Sequence, residues 1–151
     1  MNEPGLAETL LGSARTIAVV GYSDKPDRPS HSVSAYLRRQ GYRIIPVNPR
    51  LQGRVIDGEQ AYAHLVDIPP AERPDLVDVF RRGDYLDDVV TDAIAAGATA
   101  IWFQLGLGNI DAARRAEEQG LAVIWDRCTA IEHRHAAPTR RPTSSPGSNT
   151  S

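Results

Sequence analysis

The chain has 151 residues, of which 41% are hydrophobic and 24% are charged, and its formal net charge is -2. These values are typical of one globular domain, and the slight negative charge excludes a general attraction to nucleic acid or to an anionic membrane. The single cysteine, Cys128, excludes an internal disulfide. No apolar run reaches the roughly 18 residues of a membrane span, and the N-terminus lacks the basic start of a signal peptide. These features indicate a reduced, cytoplasmic setting.

Short apolar runs rich in β-branched or aromatic residues alternate with segments of helical spacing. The runs are typical of strands that are buried on both faces, and the longer helical segments each stop at a glycine. In chain order, the sequence predicts a helix over Pro4–Ala14, a strand over Thr16–Tyr22, a helix over Ser30–Gln40, a strand over Tyr42–Val47, a short helix over Asp57–Leu65, a strand over Leu76–Phe80, a helix over Asp84–Ala96, a strand over Ala100–Leu105, a helix over Asn109–Gln119 and a strand over Leu121–Asp126.

This alternation predicts the overall architecture. Repeated strand-helix-strand units favour an α/β three-layer sandwich around a mainly parallel five-stranded sheet that is doubly wound. Residues 1–135 are predicted to form this single domain. From Ala136 onward the sequence AAPTRRPTSSPGSNTS has three prolines and no large apolar side chain, so it cannot bury enough surface to offset its ordering entropy. Residues 136–151 are therefore predicted to be a disordered tail.

Cations are concentrated in the loops that follow the first three predicted strands. In an open α/β sheet, ligands bind beyond the carboxyl ends of the strands, near the point where the strand order reverses. Many acidic residues lie instead on predicted helices. Loop charges can also serve solubility alone, which is the alternative interpretation. The placement of these cations after three strand ends favours an anion site. The five cations are Lys25, Arg28, Arg50, Arg81 and Arg82.

The first of these loops lies in the stretch VVGYSDKPDRPSHSV, which contains the only lysine of the chain. Gly21 permits a sharp turn, Pro26 and Pro29 stiffen the loop, and the helix that follows favours an anion at its N-terminus. The hydroxyl groups of Ser23, Ser30 and Ser32 add hydrogen-bond donors. The stretch matches neither G-x-G-x-x-G nor G-x-x-x-x-G-K-[ST]. It is interpreted as a phosphate cradle, with an ordinary polar helix cap as the alternative.

The end of the second strand distinguishes between nucleotide ligands. A site for NAD normally presents an acid here to hold the ribose hydroxyls. This chain has Val47-Asn48-Pro49-Arg50, and a guanidinium suits a ribose phosphate or the face of an adenine. NADP and coenzyme A (CoA) are both compatible with that arrangement, whereas NAD fits it poorly.

Five motifs together resemble a known family. They are VVGYSDKPDRPS, IPVNP, VDVFRR, WFQLG and DRCTAIEH, each at or near the end of a predicted strand. In order and register, from about Thr9 to His135, they resemble the small bacterial CoA-binding proteins. Those are stand-alone relatives of the N-terminal CoA-binding domain of the succinyl-CoA synthetase α subunit. The resemblance implies a Rossmann-like fold and CoA or acyl-CoA as the ligand.

The resemblance also implies which residues bind CoA. Those expected to hold the phosphates are Gly21, Ser23, Lys25, Arg28 and Ser32. Those expected to flank the adenosine are Val47, Pro49 and Arg50. The next section of the groove is assigned to Phe80, Arg81 and Arg82, and a loop close to the ligand to Gln104 and Gly106. The same motifs add Tyr22, Asp24 and Asn48 to the predicted site.

The predicted function is a CoA-binding module without its own catalytic residues or metal site, acting as a carrier, a sensor or a partner of an acyl-CoA enzyme. The length leaves no room for the phosphohistidine domain or the nucleotide-binding subunit of a synthetase. One alternative is an NADP-dependent oxidoreductase or another nucleotide-binding Rossmann protein. A second is a paralogue that has kept the fold and lost the ligand. Whether two copies of the chain form a dimer stays open.

Two further features concern the end of the predicted domain. His133 and His135 diverge on a helix because of their i, i+2 spacing, so they are interpreted as exposed terminal residues rather than metal ligands. Cys128 follows the fifth predicted strand. It is interpreted as a small buried apolar residue or, alternatively, as a group close to the CoA thiol.

Overall fold

The five apolar runs form one parallel sheet in the computed structural model, which describes residues 1–136. The strand order is β2-β1-β5-β6-β7, and every neighbouring pair is parallel. The chain therefore winds outward from β1 in both directions, and the predicted Rossmann-like α/β fold is confirmed. The strands are β1 Thr16–Val20, β2 Arg43–Val47, β5 Leu76–Val79, β6 Ala100–Gln104 and β7 Ala122–Arg127.

Helices cover both faces of the sheet and create two apolar clusters. One face packs against α3 and α4, and the other packs against α1 and α2. Successive residues of β1 alternate between the clusters, so that Ile17 and Val19 face one layer while Ala18 and Val20 face the other. This burial on both faces explains why the strands read as continuous apolar runs. The helices are α1 Leu6–Ser13, α2 Pro29–Arg39, α3 Tyr85–Ala95, α4 Ile110–Glu118 and α5 Thr129–Ala136.

The predicted short helix over Asp57–Leu65 is wrong. This part of the chain forms an antiparallel hairpin of β3, Val55–Ile56, and β4, Glu59–Gln60. The two turn residues, Asp57 and Gly58, both have positive φ, at 50° and 84°. An Asp-Gly pair suits such a turn, because it matches the twist of the two strands. A single helical turn over Leu65–Asp67 follows the hairpin.

The sequence also failed to predict α5, which returns over the sheet beside α1 and α2. The interpretation of His133 as an exposed residue is wrong. Its side chain is 1% exposed, and its Nδ1 lies 2.7 Å from the hydroxyl of Tyr36. His135 is exposed, as expected. Ala136, the first residue of the predicted tail, ends α5, and residues 137–151 lie outside the described part of the chain.

At both edges of the sheet, a neighbouring segment bonds some of the outward backbone groups. Along β7, Asn2 donates its backbone N–H to Val123 O at 3.0 Å, and its side-chain amide bonds both N and O of Trp125 at 2.7 and 2.8 Å. Along β2, Pro46 has no N–H, and its carbonyl accepts from Tyr62 N at 3.0 Å. No helix within residues 1–136 has the length and apolar character needed to cross a membrane.

Candidate functional site

A cleft of about 830 Å³ lies at the carboxyl ends of the strands, at the point between β1 and β5 where the strand order reverses. Its walls come from the loops after β1, β2 and β5 and from the turn after β6. All five cations singled out in the sequence line it. The complete lining is Gly21, Ser23, Asp24, Lys25, Arg28, Pro29, Ser30, Asn48, Pro49, Arg50, Leu51, Phe80, Arg81, Arg82, Tyr85 and Leu107.

Gly21 makes the turn that starts the first loop. Its φ is 85°, and its N–H donates to Val47 O at 2.9 Å. A Cβ at this position would lie 2.8 Å from Arg81 Cδ and 3.0 Å from Phe80 O. Only glycine combines this φ with so close an approach of the neighbouring loop. The turn therefore brings the first and third loops together.

Two serines hold the first loop against the start of α2. The buried hydroxyl of Ser30 accepts from Ser23 N at 2.9 Å, and Ser23 Oγ accepts from Lys25 N at 3.1 Å. Arg28 immediately precedes α2 and makes no side-chain cap, and Pro29 occupies the first turn. The positive end of this 11-residue helix therefore faces the cleft, where it favours a bound anion.

Asn48 joins the first and second loops. Its side-chain Nδ2 donates to Tyr22 O at 2.8 Å, and its Oδ1 accepts from Arg50 N at 2.9 Å. Its backbone N–H donates to Tyr62 O at 2.9 Å. Asn48 therefore positions the backbone that carries Arg50, in addition to lining the cleft.

The charge of the cleft is strongly positive. Asp24, the acidic residue in its lining, accepts from Arg54 Nη1 at 2.9 Å, and this hydrogen bond holds the pKa of Asp24 below its usual range. Its carboxylate is thus paired with a cation outside the set of five. Arg81 stacks on Tyr85, with its guanidinium carbon 3.9 Å from the ring centroid. The cleft is equipped to bind several phosphate groups at once.

A second cavity, of about 240 Å³, adjoins the cleft. The two share Gly21, Pro49, Arg81 and Tyr85. Apolar side chains make most of its wall, and His64 Nδ1 lies 3.8 Å from Asp92 Oδ2 on one side. An apolar slot therefore opens beside the basic cleft. Its apolar members are Val20, Val47, Ala63, Leu65 and Val89.

Residues 15–134 of the chain match the protein family described as the CoA binding domain. The chain belongs to the CoA-binding domain family. The resemblance drawn from the five motifs is therefore confirmed.

Three other proteins are similar to the chain over most of its length. The uncharacterized protein YneT of Bacillus subtilis is 40% identical over 136 residues, which are 88% of this chain and 97% of YneT. A solved Thermus thermophilus structure is 39% identical, with a TM-score of 0.80, and the match covers 90% of this chain and 99% of that chain. A hypothetical protein from Pyrococcus horikoshii is 34% identical with a TM-score of 0.79, over 86% and 89% of the two chains.

A more distant likeness concerns the fold alone. A dinucleotide-forming acetyl-coenzyme A synthetase from Candidatus Korarchaeum cryptofilum, solved with phosphate and ADP, is 22% identical with a TM-score of 0.63. The match covers 82% of this chain and 27% of the synthetase chain. The CoA-binding domain therefore shares its fold with about a quarter of that larger protein.

Most of the residues predicted to bind CoA line the basic cleft. The structure brings together the loops after β1, β2 and β5, as expected for neighbouring strands of a parallel sheet. The residues that meet there are Gly21, Ser23, Asp24, Lys25, Arg28, Asn48, Pro49, Arg50, Phe80, Arg81 and Arg82.

The other predicted residues lie outside the lining of this cleft. Val47 lines the adjoining apolar cavity. Tyr22 and Gln104 are buried, and Gln104 Nε2 donates to Asp78 Oδ1 at 2.6 Å and to Thr129 Oγ1 at 2.8 Å. Ser32 is exposed and donates to Pro29 O at 3.3 Å. Gly106 donates its N–H to the carboxylate of Asp126 at 2.8 Å.

Sequence reasoning missed part of the lining, notably Leu51, Tyr85 and Leu107. Each follows a strand end by several residues, so its position depends on the path of the loop. The one usable signal was Tyr85, an aromatic residue three positions after the Arg81-Arg82 pair. Cys128 is partly exposed and lies outside the lining of both cavities.

Proposed function

We propose that the protein binds CoA or an acyl-CoA in the basic cleft. The observation that carries this proposal is the meeting of five cations from three loops in one cleft of a CoA-binding family member. CoA carries a pyrophosphate and a ribose phosphate, so it needs several cations at separate points. A single helix N-terminus would not neutralise it.

The order of the strands suggests how the ligand lies. The pyrophosphate is assigned to the loop after β1, where Lys25, Arg28 and the start of α2 meet. The adenosine is assigned to the end of β2, with its ring against Pro49 and the apolar wall around Val47. Arg50 is then free to reach the ribose phosphate. The pantetheine arm follows the edge of the sheet toward β6.

We further propose that the protein handles CoA without carrying out chemistry on it, as a carrier, a sensor or a partner of an acyl-CoA enzyme. The groups of the described lining are of the kinds that hold a ligand, namely cations, hydroxyls, an amide, one paired aspartate and apolar side chains. The cytoplasmic location of the protein and its formation of a homo-oligomer stay predictions.

Calorimetric titration of the full chain with CoA, dephospho-CoA and NADPH tests the proposal. Lys25→Ala removes a cation from the first loop, and a charge-assisted contact of about 1.5–3 kcal/mol corresponds to a loss of roughly tenfold to a hundredfold in affinity. Arg50→Ala should weaken CoA by a similar factor and dephospho-CoA by much less, because only CoA carries the ribose phosphate. Arg39→Ala, an exposed cation at the far end of α2, is the matched control.

The outcomes separate the parts of the proposal. Failure of CoA to bind below millimolar concentration would overturn it, as would an affinity for NADPH that exceeds the affinity for CoA. Wild-type affinity in Lys25→Ala would show that the first loop does not hold the phosphates. Equal losses of CoA and dephospho-CoA in Arg50→Ala would reject the contact with the ribose phosphate.

A further inference from the structure

The turn after β6 presents apolar side chains to solvent at the end of the cleft. Leu107 and Tyr85 line the cleft itself, and Tyr85 is 58% exposed. Leu105, on the same turn as Leu107, is 56% exposed, and Ile110 at the start of α4 is 37% exposed. Large apolar side chains with this exposure are few in the described part of the chain, and half of them are in this region. We call Tyr85, Leu105, Leu107 and Ile110 the apolar platform.

The turn that carries Leu105 and Leu107 is held in place at three points. Leu107 N donates to Gln104 O at 3.1 Å, and Gly106 N donates to Asp126 Oδ1 at 2.8 Å. A Cβ on Gly108 would lie 2.7 Å from Phe103 Cβ, so the turn packs directly onto β6. The leucines are therefore presented by a fixed backbone rather than by a loose loop.

The backbone conformation of Asp126 places its carboxylate against this turn. It has a φ of 60°, a conformation that non-glycine residues seldom adopt. The register between β6 and β7 shifts at this point, so that Gln104 pairs with Arg127 and Asp126 is left free to bond Gly106. Register shifts of this kind are over-represented next to active sites.

The position of the apolar platform along the sheet suggests its ligand. β6 lies two strands from β1, on the order of 10 Å at about 4.8 Å per strand. A ligand anchored by its pyrophosphate at β1 and extended along the edge would bring its far end to this turn. Residues 105–110 are Leu, Gly, Leu, Gly, Asn and Ile, which offer no charge to a charged group. An apolar group at the end of the ligand is the complementary partner.

We propose that the apolar platform binds the hydrocarbon part of an acyl group, so that the protein prefers acyl-CoA thioesters with an apolar chain over free CoA and over dicarboxylic acyl-CoA. This inference rests on the proposed function, because it extends the same ligand beyond its thiol. It adds a specificity that the basic cleft alone does not provide.

The size of the preference follows from partial burial. Full burial of one methylene tightens binding roughly fourfold, and a half-exposed surface covers about half of each group, which corresponds to roughly twofold per methylene. Hexanoyl-CoA, with four more methylenes than acetyl-CoA, should therefore bind roughly ten to twenty times more tightly. Succinyl-CoA should bind less tightly than hexanoyl-CoA, because its carboxylate loses water against the apolar side chains of Leu105, Leu107 and Ile110.

Titration of the full chain with CoA, acetyl-CoA, hexanoyl-CoA and succinyl-CoA tests the inference. A Leu105→Ser/Ile110→Ser double variant should reduce the gain from acetyl to hexanoyl to less than threefold while free CoA binds as before. Neither residue lines the basic cleft, and both are partly exposed in the folded protein. Ile131→Ser, which removes a similarly exposed apolar side chain from α5, is the matched control and should retain the full gain.

The results distinguish this inference from the proposed function. If neither CoA nor any acyl-CoA binds, the proposed function fails. If CoA binds and all thioesters bind equally, or succinyl-CoA binds most tightly, the proposed function stands and the preference for apolar chains is overturned. If hexanoyl-CoA is preferred but the double variant keeps the full gain, the platform is not the binding surface.

Discussion

Replacing Asp78 by asparagine should change how the stability of the protein depends on pH. Asp78 lies in the central strand β5 with no exposed surface, and its carboxylate accepts from Gln104 Nε2 at 2.6 Å and from Thr129 Oγ1 at 3.0 Å. Burial dominates over these two hydrogen bonds and raises the pKa of Asp78 from 3.8 to about 7. The folded protein thus holds a proton that the unfolded chain loses.

The direction of the effect follows from this proton. Below pH 3.8 the group is protonated in both states, and between pH 3.8 and about 7 the folded protein binds one more proton than the unfolded chain. The free energy of unfolding therefore falls as pH rises through this window. A pKa increase from 3.8 to about 7 corresponds to a loss on the order of 4 kcal/mol above the window.

Asp78→Asn removes the charge and keeps the shape. The amide can accept from Gln104 through its oxygen and donate to the Thr129 hydroxyl through its nitrogen, so both contacts are kept, with the direction of the one to Thr129 reversed. The variant should gain stability relative to the wild type as pH rises from about 4 to 8, by on the order of 4 kcal/mol. Urea unfolding at several pH values, followed by the fluorescence of buried Trp102 in the adjacent strand, measures this difference.

Asp27→Asn provides the matched control, because Asp27 is exposed in the first loop. Its stability should run parallel to that of the wild type over the whole range. A difference between Asp78→Asn and the wild type that stays constant, or that shrinks as pH rises, would refute the assignment of a buried, neutral Asp78.

Two other substitutions test the packing around the cleft and beneath α5. Gly21→Ala should lower the free energy of unfolding by about 2 kcal/mol or more in urea titrations, because the residue must keep φ at 85° and its Cβ meets Arg81 and Phe80. Wild-type stability in this variant would contradict the close approach of the two loops. Tyr36→Phe should lower it by about 1 kcal/mol, because the hydroxyl is lost from the buried Nδ1 of His133, and CoA affinity should not change. A loss of CoA affinity without a loss of stability would contradict this structural role.

The sequence was sufficient to predict the sheet and the basic side of the cleft. Parallel strands bring their carboxyl ends to one edge, so cations such as Lys25, Arg50 and Arg81 could be grouped without knowledge of the loops. The continuous apolar runs also predicted the five strands, because each strand is covered by helices on both faces. These predictions depend on properties that every chain of this topology shares.

What the sequence could not predict depends on longer-range packing. Gln104 is in phase with Trp102 along β6, so its side chain faces the layer that contains α5 rather than the cleft. Because α5 itself was not predicted, neither this burial nor that of His133 could be inferred. The hairpin is a different case, since the Asp57-Gly58 pair was present in the sequence and was outweighed by an expected helix.

The pairing of both sheet edges limits how this protein can associate. An open edge strand is a template on which another chain can add a strand, and natural proteins block such edges to avoid uncontrolled aggregation. Here Asn2 bonds outward groups of Val123 and Trp125 on β7, and Tyr62 bonds the outward carbonyl of Pro46 on β2. Each of these segments lies where a strand from a second copy would have to add. Extension of the sheet from one copy to the next, edge to edge, would therefore require these segments to move first.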